Sequence, residues 1–172
     1  MPELIPVLSR KDIRSLVRRM GRAISADFAG RKIVMIGVLK GSFVFMSDLI
    51  REISVPVCVD FIQAASYGDA TETSGTVTIL KDIETDIQGK AVFIVEDIVD
   101  TGLTLTQIIA RLKERRPASI HVCAMIDKRE RREVSLAVDY AGKTVDRGFL
   151  VGYGLDHAER YRELPAIYDL KL

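Results

Sequence analysis

The chain has little of the material from which several kinds of site are built. It contains no tryptophan, two cysteines and two histidines. Cys58 and Cys123 stand far apart inside β-type runs, VPVCVDF and IHVCAMI, with no CxxC pair and no Cys/His cluster around them. That spacing gives no support to a zinc site or a redox pair and predicts two buried free thiols. His121 begins a strand and His157 follows Asp156; neither has a nucleophile or ligand partner in view, so both read as structural. No charge of one sign dominates. The 25 Lys and Arg against 24 Asp and Glu leave a net charge of +1, which argues against a nucleic-acid-coating surface. No apolar stretch approaches the roughly 20 residues needed to span a bilayer. The first residues, MPELIPVLSRKD, lack the charged start and long apolar core of a signal peptide. A cytoplasmic protein is expected, without nucleic-acid or membrane partners.

What is present is enough for one domain: 172 residues, 19.2 kDa and 48% hydrophobic content. Residues 4–8 suit a short terminal strand, and Ser9 with Asp12 resembles a capping box opening a helix. Ile13, Leu16, Val17, Met20, Ile24 and Phe28 trace its apolar face, while Arg14, Arg18, Arg19 and Arg22 fall on the solvated side. Residues 32–39 (KIVMIGVL) form a buried strand, followed by Lys40-Gly41-Ser42 and a helical pattern from Phe43 to Ile50. Residues 55–65 and 76–80 are further strands, separated by a polar, glycine-bracketed excursion from 66 to 75 that is either an idle loop or a lid. After residues 91–95 a helix runs to about Arg115, where Pro117 stops it, and residues 119–126 (SIHVCAMI) are another strand. The KRERR run from Lys128 to Arg132 carries an interleaved acid and reads as an exposed loop. This alternation predicts an α/β fold, a twisted, mostly parallel sheet of about five strands flanked by helices. The core spans about residues 9–130, and residues 1–8 and 135–172 build a small hood over the strand ends.

The chemistry concentrates between residues 91 and 106, AVFIVEDIVDTGLTLT. An apolar run of strand length ends in Glu96 and Asp97, and Asp100 follows in the same turn. Thr101-Gly102-Leu103-Thr104 then opens a helix marked by Leu105, Ile108, Ile109 and Leu112. The first turn of a helix carries N–H groups without intrahelical partners, and Gly102 lets the backbone curl around an anion. Three acids would repel a phosphate unless they face a divalent cation or sugar hydroxyls, so the pattern suggests a phosphorylated sugar. It fits neither a P-loop nor a dinucleotide fingerprint. Lys40-Gly41-Ser42 forms a second amide-rich mouth, now with a lysine.

Residues 95–104 (VEDIVDTGLT) resemble the phosphoribosyl-pyrophosphate loop of the type I phosphoribosyltransferases, and the whole chain resembles the hypoxanthine-guanine members of that family. The resemblance implies purine salvage: transfer of a 5-phosphoribosyl group from phosphoribosyl pyrophosphate to hypoxanthine or guanine, giving IMP or GMP and pyrophosphate. It implies that Glu96, Asp97, Ile98, Val99, Asp100, Thr101, Gly102, Leu103 and Thr104 bind the phosphoribosyl group, with Asp100 as general base. It assigns pyrophosphate to Lys40, Gly41, Ser66, Tyr67 and Arg162, with Ser66-Tyr67 on a mobile loop that keeps water out. Lys128 would donate to the purine 6-oxo group, Phe149 would stack on the ring, and Leu150 would offer backbone hydrogen bonds beside Asp156. Glu96, Asp97 and Asp156 would hold Mg²⁺, and a homo-oligomer, dimer or tetramer, is implied.

Two positions depart from the family pattern. Leu103 stands where many relatives carry lysine or arginine, and Ser42 where glycine is common. The choice among hypoxanthine, guanine and xanthine stays open at this level, as does use of adenine or a pyrimidine. A nucleotide-binding RNA regulator on the same fold would need a broad basic face. A receiver domain would carry its acidic pair on the first strand rather than past mid-chain.

Overall fold

Three runs that are apolar on both faces make the centre of a sheet. Ile33–Leu39 (β2), Ala91–Val99 (β5) and Ser119–Lys128 (β6) lie side by side in parallel, with Gly37 opposite Val95 and Val95 opposite Cys123. The computed structural model describes residues 2–66, Ser66 through its backbone alone, and residues 76–172. Val57–Ser66 (β3) adds in parallel beside β2, and Val77–Lys81 (β4) closes that edge antiparallel to it. Tyr140–Val145 (β7) adds in parallel beside β6, giving the six-stranded order β4-β3-β2-β5-β6-β7. The sheet is therefore one strand wider than expected. That strand, YAGKTV, comes from the stretch assigned to the hood; it follows β6 without a helix, and its pairing is a backbone matter that no side-chain periodicity announces.

Helices cover both faces. The helix Arg10–Asp27 (α1) starts at a full capping box, in which the Ser9 hydroxyl accepts from the Asp12 amide at 3.1 Å and the Asp12 carboxylate accepts from the Ser9 amide at 2.9 Å. Such a cap contributes about 1 kcal/mol. With Phe43–Arg51 (α2), α1 packs Ile13, Val17, Ile24, Phe45 and Leu49 against Met35, Phe93 and Val95. On the opposite face Leu103–Lys113 (α3) packs Leu105, Ile108 and Leu112 against Ile36, Ile94 and Ala124. Each fully buried aliphatic or aromatic side chain contributes about 1.5–3 kcal/mol. Arg19 is not merely solvated, because its guanidinium donates to the carbonyls of Ala141 and Gly142, both at 2.8 Å, and ties α1 to β7.

The hood is a three-stranded antiparallel sheet, β1-β9-β8, made of Glu3–Leu8 (β1), Leu150–Val151 (β8) and Ile167–Lys171 (β9). Both cysteines are free, but only Cys123 is buried. Cys58 is partly exposed because β4 pairs with β3 only from Gln63 onward, leaving the first half of β3 as an open edge. His121 packs among Phe28 and Phe93, with both ring centroids at 5.0 Å, in keeping with a structural role. Among the described residues no helix is long and apolar enough to cross a membrane. Because β2, β5 and β6 are parallel, their carboxyl ends emerge at one edge of the sheet, where an open α/β fold binds its ligands.

Candidate functional site

The strand β5 does not stop at the acids. Its pairing with β6 continues through Ile98 opposite Ile126 and Val99 opposite Asp127, so Glu96 and Asp97 lie within the strand, not in a turn after it. Likewise Lys128 is the last residue of β6, opposite Val145, and not the first of a loop. Successive strand residues point to opposite faces. Glu96 accordingly lines a cleft of ≈ 160 Å³ with Ile98, Val99, Asp100, Thr101, Gly102, Thr104 and Leu105. Asp97 turns instead toward the loop after β2: a methyl group on Gly41 would lie 1.8 Å from its carboxylate.

At Gly102 the backbone takes φ +84°, a conformation open to glycine, and α3 begins with no side-chain cap. The Leu103 amide donates to the Thr101 hydroxyl at 3.3 Å. Half-buried Leu103 adds no charge to the mouth, whereas Ser42 is fully buried and its hydroxyl donates to the Val38 carbonyl at 2.8 Å, which keeps that turn closed. The peptide bond between Leu39 and Lys40 is cis.

Asp100 and Lys128 meet across the ends of β5 and β6. The Lys128 ammonium, in a side chain only 9% exposed, lies 3.8 Å from Asp100 Oδ2 and 3.8 Å from Glu130. The other oxygen of Asp100, Oδ1, is buried and has no hydrogen-bond partner among the described residues. On the hood side, Phe149 is 48% exposed, its ring edge-on to His157 at 5.1 Å, and its amide donates to Asp169. Leu150 is buried in β8. Asp156 accepts from the Glu159 amide at 2.8 Å and pairs with Arg162 at 3.1 Å. Arg162 donates to the Gly154 carbonyl at 2.7 Å and pairs with Glu159 at 3.0 Å, which also takes Lys40 at 3.0 Å. The Nε of Arg162 is buried without a partner among the described residues.

Burial sets the charge state of the two strand carboxylates. Desolvation, reinforced by neighbouring Asp97, holds Glu96 well above the usual carboxylate range. Asp97 is pushed up to about 6, again by burial first, with the Ile98 amide and Arg162 opposing it and Asp156 adding to it. Among the described residues no three His, Cys, Asp or Glu gather closely enough to hold a metal ion alone. The expected trio Glu96, Asp97 and Asp156 is therefore not a closed cage, because Glu96 faces the cleft while Asp97 faces the loop after β2. A hard cation shared with a substrate's phosphates needs only one or two protein carboxylates, and Asp97 and Asp156 fit it once ionised, since a cation beside Asp97 would offset the burial that raises it.

The structure thus brings Lys40, Gly41, Asp97, Asp156 and Arg162 together at one end and Asp100 and Lys128 at the other. Ser66 ends β3 with its backbone opposite Val77, and Tyr67 lies outside the described residues. Three residues were not foreseen. Glu159 carries no signal in the sequence; His157, read as structural, packs on the exposed Phe149; and Arg132, placed in an exposed loop, is only 16% exposed and donates to carbonyls of the β5–α3 turn. Arg129 and Arg131, both 65% exposed, match the loop reading.

Comparison with known proteins gives a consistent picture. The phosphoribosyl transferase domain family matches residues 7–158. A protein of Dictyostelium discoideum named hypoxanthine-guanine phosphoribosyltransferase is 44% identical over 169 residues, 96% of this chain and 94% of the relative. The hypoxanthine phosphoribosyltransferase of Escherichia coli K12 is 44% identical over 163 residues, covering 94% and 92%. A crystal structure of a Bacillus anthracis hypoxanthine-guanine phosphoribosyltransferase, with a HEPES molecule in its active site, superposes with a TM-score of 0.93 at 43% identity over the full length of both chains.

A carboxyl whose pKa is higher folded than unfolded binds its proton more tightly in the fold. For Asp97 the penalty is absent below the unfolded value of 3.8 and complete above about 6. Asp97→Asn is therefore expected to stabilise the protein in the absence of ligands at neutral pH, and the advantage over the parent should grow by on the order of 2 kcal/mol between about pH 4 and pH 7. Denaturant titrations of both proteins across that range check it; a constant difference would show that the carboxylate carries no burial penalty.

Proposed function

The chain is a member of the phosphoribosyl transferase family, of the hypoxanthine-guanine phosphoribosyltransferase kind, and we propose that it transfers the 5-phosphoribosyl group from phosphoribosyl pyrophosphate to hypoxanthine or guanine. The observation that carries this reading is the placing of the buried Lys128 ammonium 3.8 Å from one oxygen of Asp100, whose other oxygen has no hydrogen-bond partner among the described residues, at the ends of β5 and β6. A 6-oxopurine presents an acceptor at O6 next to a proton at N7. Lys128 supplies the donor for the first and Asp100 the acceptor for the second. Adenine offers a 6-amino group, which cannot accept from an ammonium, so the same pair disfavours it.

In the proposed reaction N9 of the base attacks C1′ of the ribose as the bond from C1′ to the pyrophosphate oxygen breaks. The electron pair leaves with pyrophosphate, and the N7 proton passes to Asp100. Glu96 faces the ribose hydroxyls and tolerates the positive charge that develops at C1′. The amides of residues 101–104 and the threonine hydroxyls take the 5′-phosphate, while Lys40, the backbone at Gly41 and Arg162 take the pyrophosphate. Phe149 is the exposed ring on which the base stacks, and Leu150 places backbone groups beside it. Ser66 and Tyr67 are proposed to reach the same pyrophosphate from their loop.

We propose Mg²⁺ as the divalent cation; Asp97 and Asp156 would hold it together with the donor's own oxygens, and Glu96, which faces the cleft, would reach it only through the ribose hydroxyls. Such a cation supplies positive charge to the leaving pyrophosphate. The chain is read as one domain whose hood closes the purine end of the cleft. It is proposed to work in the cytoplasm as a homo-oligomer.

Steady-state kinetics with hypoxanthine, guanine, xanthine and adenine test the substrate class, and turnover restricted to adenine would overturn it. Asp100→Asn should leave donor binding nearly intact and lower turnover by about 10²–10⁴, the range for a lost general base; unchanged turnover removes Asp100 from the mechanism. Lys128→Ala should raise KM for the 6-oxopurine far more than KM for the donor, and equal losses would argue against base reading. Excess chelator should abolish turnover and added Mg²⁺ restore it, whereas full activity in chelator excludes the cation.

A further inference from the structure

We propose that Arg132 is a positioning residue that fixes the distance between Asp100 and Lys128, an inference that rests on the roles just given to those two groups. The pairing of β5 with β6 ends at Val99 opposite Asp127. Beyond that point no ladder holds the two chains together, yet the groups on which base recognition depends lie there. Arg132 takes over. Its Nε donates to the Asp100 carbonyl at 2.8 Å, and its Nη2 donates to the carbonyls of Val99 at 3.2 Å and Lys128 at 3.1 Å. The same nitrogen pairs with Asp127 Oδ1 at 2.5 Å, and Nη1 reaches the Leu136 carbonyl at 3.4 Å.

One planar group therefore grips the backbone on both sides of the gap, at the residue carrying the free carboxylate oxygen and at the residue carrying the buried ammonium. The next residue extends the grip, with the Glu133 amide donating to the Thr101 carbonyl at 3.0 Å. Val134 packs over Gly102 so closely that a methyl group there would meet it at 2.7 Å. Asp127 is 4% exposed, and its charge is answered by Arg132 together with Arg129 at 3.3 Å. Arg132 donates to the carbonyls of Val99, Asp100, Lys128 and Leu136 and to the Asp127 carboxylate, so it acts through the backbone it holds. A lysine can answer the charge of Asp127 but cannot hold several carbonyls in fixed directions, because it lacks the rigid fork.

The test is a double-mutant cycle between Arg132 and Asp100, read as kcat and KM for donor and base with thermal midpoints alongside. Arg132→Lys keeps the charge beside Asp127, so it should fold with a midpoint near the parent's and still lose about 10- to 100-fold in kcat, the effect of a small misplacement, with KM for the donor little changed. In the Asp100→Asn background the same change should cost no more than about 3-fold, because there is no base left to misplace. Arg132→Ala should behave alike and regain part of its kcat in guanidinium chloride below the denaturing range. Parent-like kcat in Arg132→Lys, or equal losses in both backgrounds, would overturn the proposal while leaving the base assignment standing. Parent-like turnover in Asp100→Asn alone would remove the base assignment, and this inference with it.

Discussion

At the carboxyl edge of the sheet the loop after β2 is packed between the Asp97 side chain and the backbone of the hood loop, with no room for a side chain on Gly41 or Gly154. A methyl group on Gly41 would lie 1.8 Å from the Asp97 carboxylate, and one on Gly154 would lie 2.2 Å from the Gly41 carbonyl. Gly154, at φ +96°, needs glycine on conformational grounds as well. This stacking of the end of β5, the loop after β2 and the hood loop sets the site. It brings Asp156 and Arg162, more than fifty residues from Asp97 in the chain, to where they act on the same carboxylate. Without the close approach the hood would be a small sheet beside the core, and the two halves of a donor site would not face each other.

The cost of building that site shows in a comparison of two buried aspartates. Asp60 is desolvated, but backbone amides of Thr85, Phe61 and Glu84 outweigh the burial and bring it to about 2. Asp97 is desolvated too, yet its amide donor is its own neighbour Ile98 at 2.8 Å, and it rises to about 6. The first is tied into the fold and clamps β3 to the segment after β4. The second has acceptor capacity that the protein does not use, which is a cost to stability and a resource for binding. Perturbed carboxylates mark function here because the perturbation comes from missing partners and not from burial alone.

Much of this was legible in advance where a local rule decides the outcome. The Ser9 and Asp12 cap, the buried strands and the glycine at the mouth of α3 each follow from a neighbourhood of a few residues. The acids of β5 were legible as chemistry, but their place within the strand was not. A carboxylate looks like a strand terminator until the partner strand is known, and β6 carries the ladder past Glu96 through hydrogen bonds that belong to the backbone. The edge strand β7 was hidden for the same reason. Arg132 sits in a run of charges that reads as solvated, and its burial depends on Asp127 and the carbonyls of Val99 and Asp100 converging on it from another strand. Glu159 was invisible because Lys40, 119 residues away in the chain, is brought to it only by the folding of the hood, although Arg162 lies close by in sequence.

The two ends of the cleft hold their charges in opposite ways, and this decides where selectivity can reside. At the proposed pyrophosphate end Lys40 is 57% exposed and Glu159 62% exposed. Ion pairs so open to water contribute about 1 kcal/mol or less, so exchanging the Glu159 carboxylate for the oxygens of a polyanion meets little resistance. That end can gain affinity from accumulated charge, but it discriminates poorly, since any polyphosphate offers similar oxygens. At the proposed purine end the Lys128 side chain is 9% exposed, and its carbonyl accepts from Arg132. An ammonium buried to that degree has no ready alternative in water, and a base that leaves it facing a donor incurs a penalty of several kcal/mol. On the proposed roles, donor grip and base choice are thus separated by burial, the first soft and exchangeable, the second rigid and costly to mismatch.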